Sequence, residues 1–281
     1  MAASRPRTLS AAVAPVAVGV AVAHASGYVN TERSILSLVV SLAIQIGTNF
    51  ANDYSDGKRG TDATRVGPTR LVASGLAPAA TVRRAALLSF ALAAVAGLVI
   101  ALETSLVLIA VGAACIVAGW LYTGGPRPYG YAGWGELFVF VFFGLVAVEG
   151  TLYAAHGHLV RLGLLAAIPV GLLTVALLVV NNLRDIPTDG PAGKRTLAVA
   201  LGAPRTRVLF ALCVLVPFAF VAVIGVARPL ALIALAAVIP AAALLRLVLS
   251  GAEGRALIKA LGMTGALQLL FSLLLAIGIA F

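Results

Sequence analysis

Charge is what this chain has least of. Only 11% of its 281 residues are Asp, Glu, Lys or Arg, while 61% are hydrophobic and the mean hydropathy is +1.07. A soluble domain carries about 25% charged residues, so the deficit excludes an ordinary water-soluble protein. Cysteine is also scarce. Cys115 and Cys213 lie inside apolar runs without metal-ligand spacing, which argues against a disulfide framework or a thiolate metal centre. Aromatic residues are only 7% of the chain, and no basic stretch is interleaved with them as in a nucleic-acid-binding module. Acids are rarer than bases, ten against twenty, for a formal net charge of +10. With nucleic acid set aside, that excess fits a membrane protein, which collects Lys and Arg on its cytoplasmic side.

The apolar runs are present in abundance. They are too long for the strands of a membrane barrel. Each suits a helix crossing a hydrocarbon core, which takes roughly 20 residues. Bounded by Gly, Pro and charge, they predict nine transmembrane helices, near 8–27, 34–54, 80–101, 104–122, 134–155, 161–182, 206–227, 229–249 and 256–280. The expected fold class is all-α, a polytopic bundle forming one domain over 1–281. Arg5, Arg7 and the stretch "AHAS" (23–26) resemble a signal peptide. Pro15, Gly19 and the many following spans favour a retained first helix instead. With the N-terminus in the cytoplasm, every Lys and Arg except Arg33, Arg161 and Arg228 falls on the inner side. The C-terminus is then outside, and the protein belongs in the cell membrane. Two long connections, 55–79 and 183–205, face the cytoplasm; loops this long usually carry function.

The few acids are not scattered. Asp53, Asp56, Asp62, Asp185 and Asp189 make up half of them and lie in two stretches, "NFANDYSDG" (49–57) with its continuation to 62, and "NNLRDIPTD" (181–189). Asn52 and Asn181 are 129 residues apart, as are Asp56 and Asp185. Four predicted helices separate the copies, which makes the echo a parallel four-helix repeat. Residues four apart share a helix face. Asn52–Asp56 and Asn181–Asp185–Asp189 therefore form two columns of oxygens at inner helix ends. Facing each other, they would make a negative cup that is costly beside lipid unless compensated. Mg²⁺ suits such a cup, because it takes oxygen ligands and is typically held by one or two carboxylates plus substrate phosphates. Lys58, Arg59, Arg65, Arg70, Lys194 and Arg195 surround the motifs as candidates for the remaining phosphate oxygens. The pattern points to a metal-bound diphosphate with a lipid tail. The plain alternative, solvated salt bridges at helix ends, is weakened by the duplication.

Four stretches carry a family resemblance: "RPRTLSAAVAPVAVG" (5–19), "NDYSDGKRGTDATRVGPTRLVASG" (52–75), "YTGGPRPYGYAGWGE" (122–136) and "NNLRDIPTDGPAGKRTLAVALG" (181–202). They resemble the UbiA superfamily of intramembrane aromatic prenyltransferases, in its menaquinone-pathway branch, and the likeness covers essentially the whole chain. The resemblance implies nine helices around a cavity, a Mg²⁺ cofactor, a polyprenyl diphosphate donor and 1,4-dihydroxy-2-naphthoate as acceptor. The family pattern Asn-x-x-x-Asp-x-x-x-Asp falls on Asn181, Asp185 and Asp189 unchanged. The first copy keeps Asn52 and Asp56 but has Gly60 at the third position, so Asp53 and Asp62 are both expected to help hold metal. Tyr122, Arg127, Asn49 and Glu136 are expected around the acceptor or carbocation. Gln45 and Gln268 are expected to make helix–helix hydrogen bonds, and His24, Glu149, His156 and His158 to be outer-face residues without a catalytic role. Another aromatic acceptor, such as 4-hydroxybenzoate, stays open. "DYSDGKRG" (53–60) is faintly similar to the CDP-alcohol phosphotransferases, but their second acid pair lies far closer than 129 residues. A secondary transporter is a third reading, weakened because the charges gather at one face rather than at the midplane.

Overall fold

A computed structural model describes residues 8–61 and 70–281. Among these residues there is no strand. Among the described residues nine longer helices follow in order: α1 Ser10–Ala25, α2 Thr31–Arg59, α3 Ala79–Glu103, α4 Val107–Leu121, α5 Gly135–His156, α6 Arg161–Asp189, α7 Leu197–Ala227, α8 Pro229–Leu249 and α9 Arg255–Ala280. All but α1 and α4 are long and apolar enough to cross a membrane, and those two are shorter apolar helices. The chain is a multi-pass membrane protein.

The ends differ from the sequence expectation where it matters most. α2 and α6 each run 29 residues, about 44 Å at 1.5 Å per residue. That exceeds the roughly 30 Å of hydrocarbon, so both helices project past it with their acid motifs still helical. The ends expected at 54 and 182 fall instead at Arg59 and Asp189. α2 stops at Gly60, whose φ of +73° is the left-handed cap that glycine adopts without strain. α6 passes through Pro187, which removes one backbone donor only two residues before the helix ends. The connection expected over 183–205 shrinks accordingly. α7 starts at Leu197, where the Thr196 hydroxyl accepts from Val199 N at 3.3 Å. A kink at Gly202 then separates its first turn from the main span.

Two packed groups divide the bundle. α1 and α5 to α9 share one apolar core, with α6 at its centre; Leu173, Ala176, Val179 and Val180 are fully buried. α2, α3 and α4 form a smaller group around Ala51, Ala86 and Phe90. Without a hydrophobic force between helices in lipid, small residues allow the close contacts. A Cβ on Gly144 of α5 would lie 2.6 Å from Gly171 Cα of α6. This contact sits in a π-helical turn, Phe140–Val146, which interrupts α5. Gln268 of α9 donates to Thr174 of α6 at 2.7 Å and accepts from Ser10 at 3.0 Å, an interhelical bond as expected. Gln45 instead reaches Thr8, ahead of α1, at 3.2 Å, and Asn49 of its own helix at 3.4 Å.

Candidate functional site

A cavity of about 290 Å³ lies between the two groups. One end is polar: Asn49, Asn52 and Asp56 of α2 face Asn181, Asp185 and Asp189 of α6. From there it follows α2 to Ser37, about 28 Å along the helix at 1.5 Å per residue. Its walls along this path are mainly apolar, with Ile44 and Val40 on α2, Leu108 and Val111 on α4, and Phe142 and Val146 on α5.

The acids at the polar end are buried and paired. Asp56 is 3% exposed. It accepts from the Tyr131 hydroxyl at 2.5 Å, from Lys194 Nζ at 3.4 Å and from Arg70 Nη2 at 3.5 Å. Lys194 Nζ also lies 3.8 Å from Asp189 Oδ1, so one ammonium joins the two motifs. It stands 4.8 Å from the centre of the Tyr131 ring as well, a cation–π contact. Asp185 is gripped from behind by its neighbour: Arg184 Nε and Nη2 donate to its two oxygens at 2.6 and 2.7 Å. The same Nη2 donates to Asn181 at 2.9 Å. Thr123 donates to Asn52 at 2.8 Å.

Three tyrosines from the α4–α5 connection roof this end. Burial raises the Tyr131 phenol well above its ordinary value, and the charge and hydrogen bond of Asp56 push it further the same way. Burial raises Tyr129. It raises Tyr122 as well, with the charge of Glu136 the next cause. All three therefore remain protonated donors at neutral pH. Tyr129 stacks on Phe138 with centroids 4.1 Å apart and meets the Tyr122 ring edge-on at 5.5 Å, giving an electron-rich wall.

The residues singled out from sequence divide into groups. Asn49, Asn52, Asp56, Arg70, Tyr122, Asn181, Asp185, Asp189 and Lys194 come together on the cavity wall. Asp53 does not. Its oxygens accept the backbone N–H groups of Leu71 at 2.8 Å and Val72 at 3.0 Å, which anchors the turn carrying Arg70. Glu136 is buried but stands behind the wall, accepting from Asn182 at 3.0 Å. Arg127, Lys58 and Arg195 are exposed and off the wall. Arg195 contributes its backbone, donating to Tyr131 O at 2.9 Å. Arg59 donates to the carbonyls of Thr123 and Gly125, tying α2 to the tyrosine roof. Asp62 and Arg65 lie outside the described residues.

Tyr131, Arg184, Thr123 and Asn182 were missed as site residues. All four lie in the quoted stretches, Thr123 and Tyr131 in "YTGGPRPYGYAGWGE" and Asn182 and Arg184 in the second acid motif. Nothing in their spacing shows which direction they point.

The donor set fits a hard cation. Among the described residues no three His, Cys, Asp or Glu cluster as a complete metal site. The wall instead offers carboxylate and amide oxygens in two columns. That suits a hard, oxygen-preferring divalent cation such as Mg²⁺ shared with a diphosphate.

Fold and cavity together define a membrane helical bundle with an oxygen-rich polar end opening into a long apolar cavity. The sequence model described as "UbiA prenyltransferase family" matches residues 12–263. The chain is 50% identical over 281 residues to the 1,4-dihydroxy-2-naphthoate octaprenyltransferase of Mycobacterium tuberculosis, covering 99% of this chain and 95% of that one. It is 37% identical over 210 residues to the Escherichia coli protein of the same name, covering 72% and 68%. In fold it matches a UbiA homolog from Archaeoglobus fulgidus bound to GPP and Mg²⁺ with a TM-score of 0.60 at 16% identity, covering 98% of each chain. The apo structure of a UbiA homolog from Aeropyrum pernix K1 matches with a TM-score of 0.65 at 15% identity, covering 95% and 96%. The chain belongs to the UbiA prenyltransferase family.

Proposed function

We propose that the protein transfers a polyprenyl group from polyprenyl diphosphate to 1,4-dihydroxy-2-naphthoate, releasing diphosphate and CO₂ and giving demethylmenaquinol for menaquinone biosynthesis. The observation that carries this reading is the convergence of both acid motifs at the mouth of one long apolar cavity. The full-length similarity to dihydroxynaphthoate octaprenyltransferases supports the choice of acceptor.

Asp56, Asp185 and Asp189 are the residues to hold Mg²⁺, with Asn52, Asn181 and Asn49 beside them. Bound there, Mg²⁺ supplies charge that stabilises a departing diphosphate. Lys194 and Arg70 sit where they can take the phosphate oxygens that the metal leaves free. The allylic C–O bond breaks and the diphosphate leaves with the electron pair. The apolar walls keep water from the resulting carbocation, and the faces of Tyr122 and Tyr129 offer it π density. The ring carbon bearing the carboxylate forms the new C–C bond. CO₂ departs and leaves its electron pair to restore the aromatic ring. The polyprenyl tail lies along the cavity and passes to lipid between α4 and α5, which line it from both sides and barely touch each other.

The charge distribution supports an orientation with the site, its loops and the N-terminus in the cytoplasm and the C-terminus outside the cell membrane. α2 and α6 are equally long, carry their motifs at the same end and face one cavity. These features support a parallel repeat within a single domain.

Purified protein given Mg²⁺, a long-chain polyprenyl diphosphate and a panel of aromatic acids tests the proposal. Prenylated, decarboxylated product is expected with 1,4-dihydroxy-2-naphthoate and is lost in Asp56→Ala and Asp185→Ala. Product with 4-hydroxybenzoate alone would overturn the acceptor assignment. Solute flux in liposomes without any prenyl transfer would replace the enzyme with a transporter.

A further inference from the structure

Lys58 is left over from the site. The sequence places it among the diphosphate-binding candidates, yet it points into a second cleft, formed with Tyr54 of α2 and Ala79, Ala80, Arg83 and Arg84 at the start of α3. The cleft lies at the same end of the bundle as the acid motifs. Lys58, Arg83 and Arg84 are exposed, and none of them makes a hydrogen bond or ion pair among the described residues. Three cations thus converge on one cleft whose lining, among the described residues, includes no acid. Membrane topology explains why cations lie at this end. It does not explain why three meet here unpaired, while the cations of the catalytic cavity are paired with Asp.

The surroundings narrow the ligand. One turn further into the bilayer, at i+4 from Arg83 and Arg84, Leu87 and Leu88 are 47% and 71% exposed and present an apolar outer face of α3. Tyr54 packs against Trp120 with centroids 6.3 Å apart, which places two amphipathic rings at this level. Such rings favour the headgroup layer. A cationic cleft above an exposed leucine wall matches a molecule with a phosphate head and hydrocarbon chains.

We propose that the cleft of Tyr54, Lys58, Arg83 and Arg84 binds the phosphodiester headgroup of an anionic phospholipid whose acyl chains lie along the outer face of α3. Lys58 and Arg59 are neighbours near the end of α2. Arg59 ties that end to the tyrosine roof, so a lipid held here braces the helix that carries Asp56.

The test uses the full chain in nanodiscs of phosphatidylcholine alone, or of phosphatidylcholine mixed with phosphatidylglycerol. The measurements are thermal unfolding and native mass spectrometry of retained lipid. The wild type is expected to unfold at a higher temperature in the mixed discs and to retain phosphatidylglycerol preferentially. Lys58→Gln/Arg83→Gln/Arg84→Gln is expected to unfold alike in both discs and to lose the preference. Arg83→Gln alone is expected to lose part of it, which keeps the test available should the triple variant fail to fold. Equal phosphatidylglycerol retention and stabilisation in wild type and variants would overturn the proposal. So would inorganic phosphate reproducing the full stabilisation in phosphatidylcholine discs, which would make this a free-anion site.

Discussion

Arg184→Met removes a buried cation that holds both oxygens of Asp185. The Arg184 side chain is 1% exposed and that of Asp185 is 5%. Both carboxylate oxygens are held by one guanidinium, at 2.6 and 2.7 Å. Methionine keeps much of the volume and leaves Asp185 charged and buried without its closest partner. Breaking a buried pair from one side costs about 3–5 kcal/mol. At roughly 2–4 °C per kcal/mol for a chain of this general size, the unfolding midpoint falls on the order of 10 °C. Arg184→Met/Asp185→Asn removes both charges and recovers most of the loss, because neighbouring partners are not additive. Mg²⁺ raises the midpoint of the single variant, which keeps the Asp185 carboxylate, more than that of the double. The assay is thermal unfolding in neutral detergent, with and without Mg²⁺. A single variant as stable as wild type, or a double variant losing the sum of two singles, would refute the argument.

Other perturbations separate the remaining roles. Tyr131→Phe deletes a hydrogen bond to a carboxylate, worth about 1.5–3 kcal/mol. Steady-state kcat/KM should fall roughly ten- to a hundredfold at 1.36 kcal/mol per factor of ten; an unchanged value rules out an active part for the bond. Burial and Asp56 hold that phenol above its ordinary value of 10.0. Its contribution to stability is therefore complete below pH 10 and declines as pH rises further. Ultraviolet difference spectra of wild type against Tyr131→Phe should show no Tyr131 phenolate at pH 10. Asp53→Ala frees the turn that carries Arg70; the expected results are faster hydrogen exchange at the Leu71 and Val72 amides and a raised KM for the diphosphate substrate, with kcat less affected. A Cβ on Gly112, on the cavity wall, has no atom within 4 Å. Gly112→Leu should therefore abolish transfer of long prenyl chains and spare short ones, read by mass spectrometry of products. Equal loss at every chain length would remove Gly112 from the chain-length pocket.

How much was legible in advance differs between neighbouring residues. Asp53 and Asp56 are three residues apart on one helix and read alike, yet one faces the cavity and the other caps a turn. Lys194 and Arg195 are adjacent and both basic. Only Lys194 turns inward to join Asp56 to Asp189, while Arg195 offers its backbone to Tyr131. Arg184 counts in the sequence merely as one of many inner-side cations, although it holds both oxygens of Asp185.

By itself, the amino-acid order determined that the chain is a membrane bundle, because runs of about 20 apolar residues have no other stable place for their backbone polar groups. It also determined the two oxygen columns, because i, i+4 periodicity is a local property of any helix. The ends of α2 and α6, the turning away of Asp53, and the choice of Arg70, Lys194 and Tyr131 as partners of Asp56 were decided only by tertiary structure. Each depends on how a Gly-rich connection folds back over the helix ends, and that is set by contacts between residues tens to more than a hundred positions apart. The missing acid at Gly60 shows the same division. Sequence marked the gap in the first column, and the fold surrounds that column's Asp56 with a lysine, an arginine and a tyrosine from other parts of the chain.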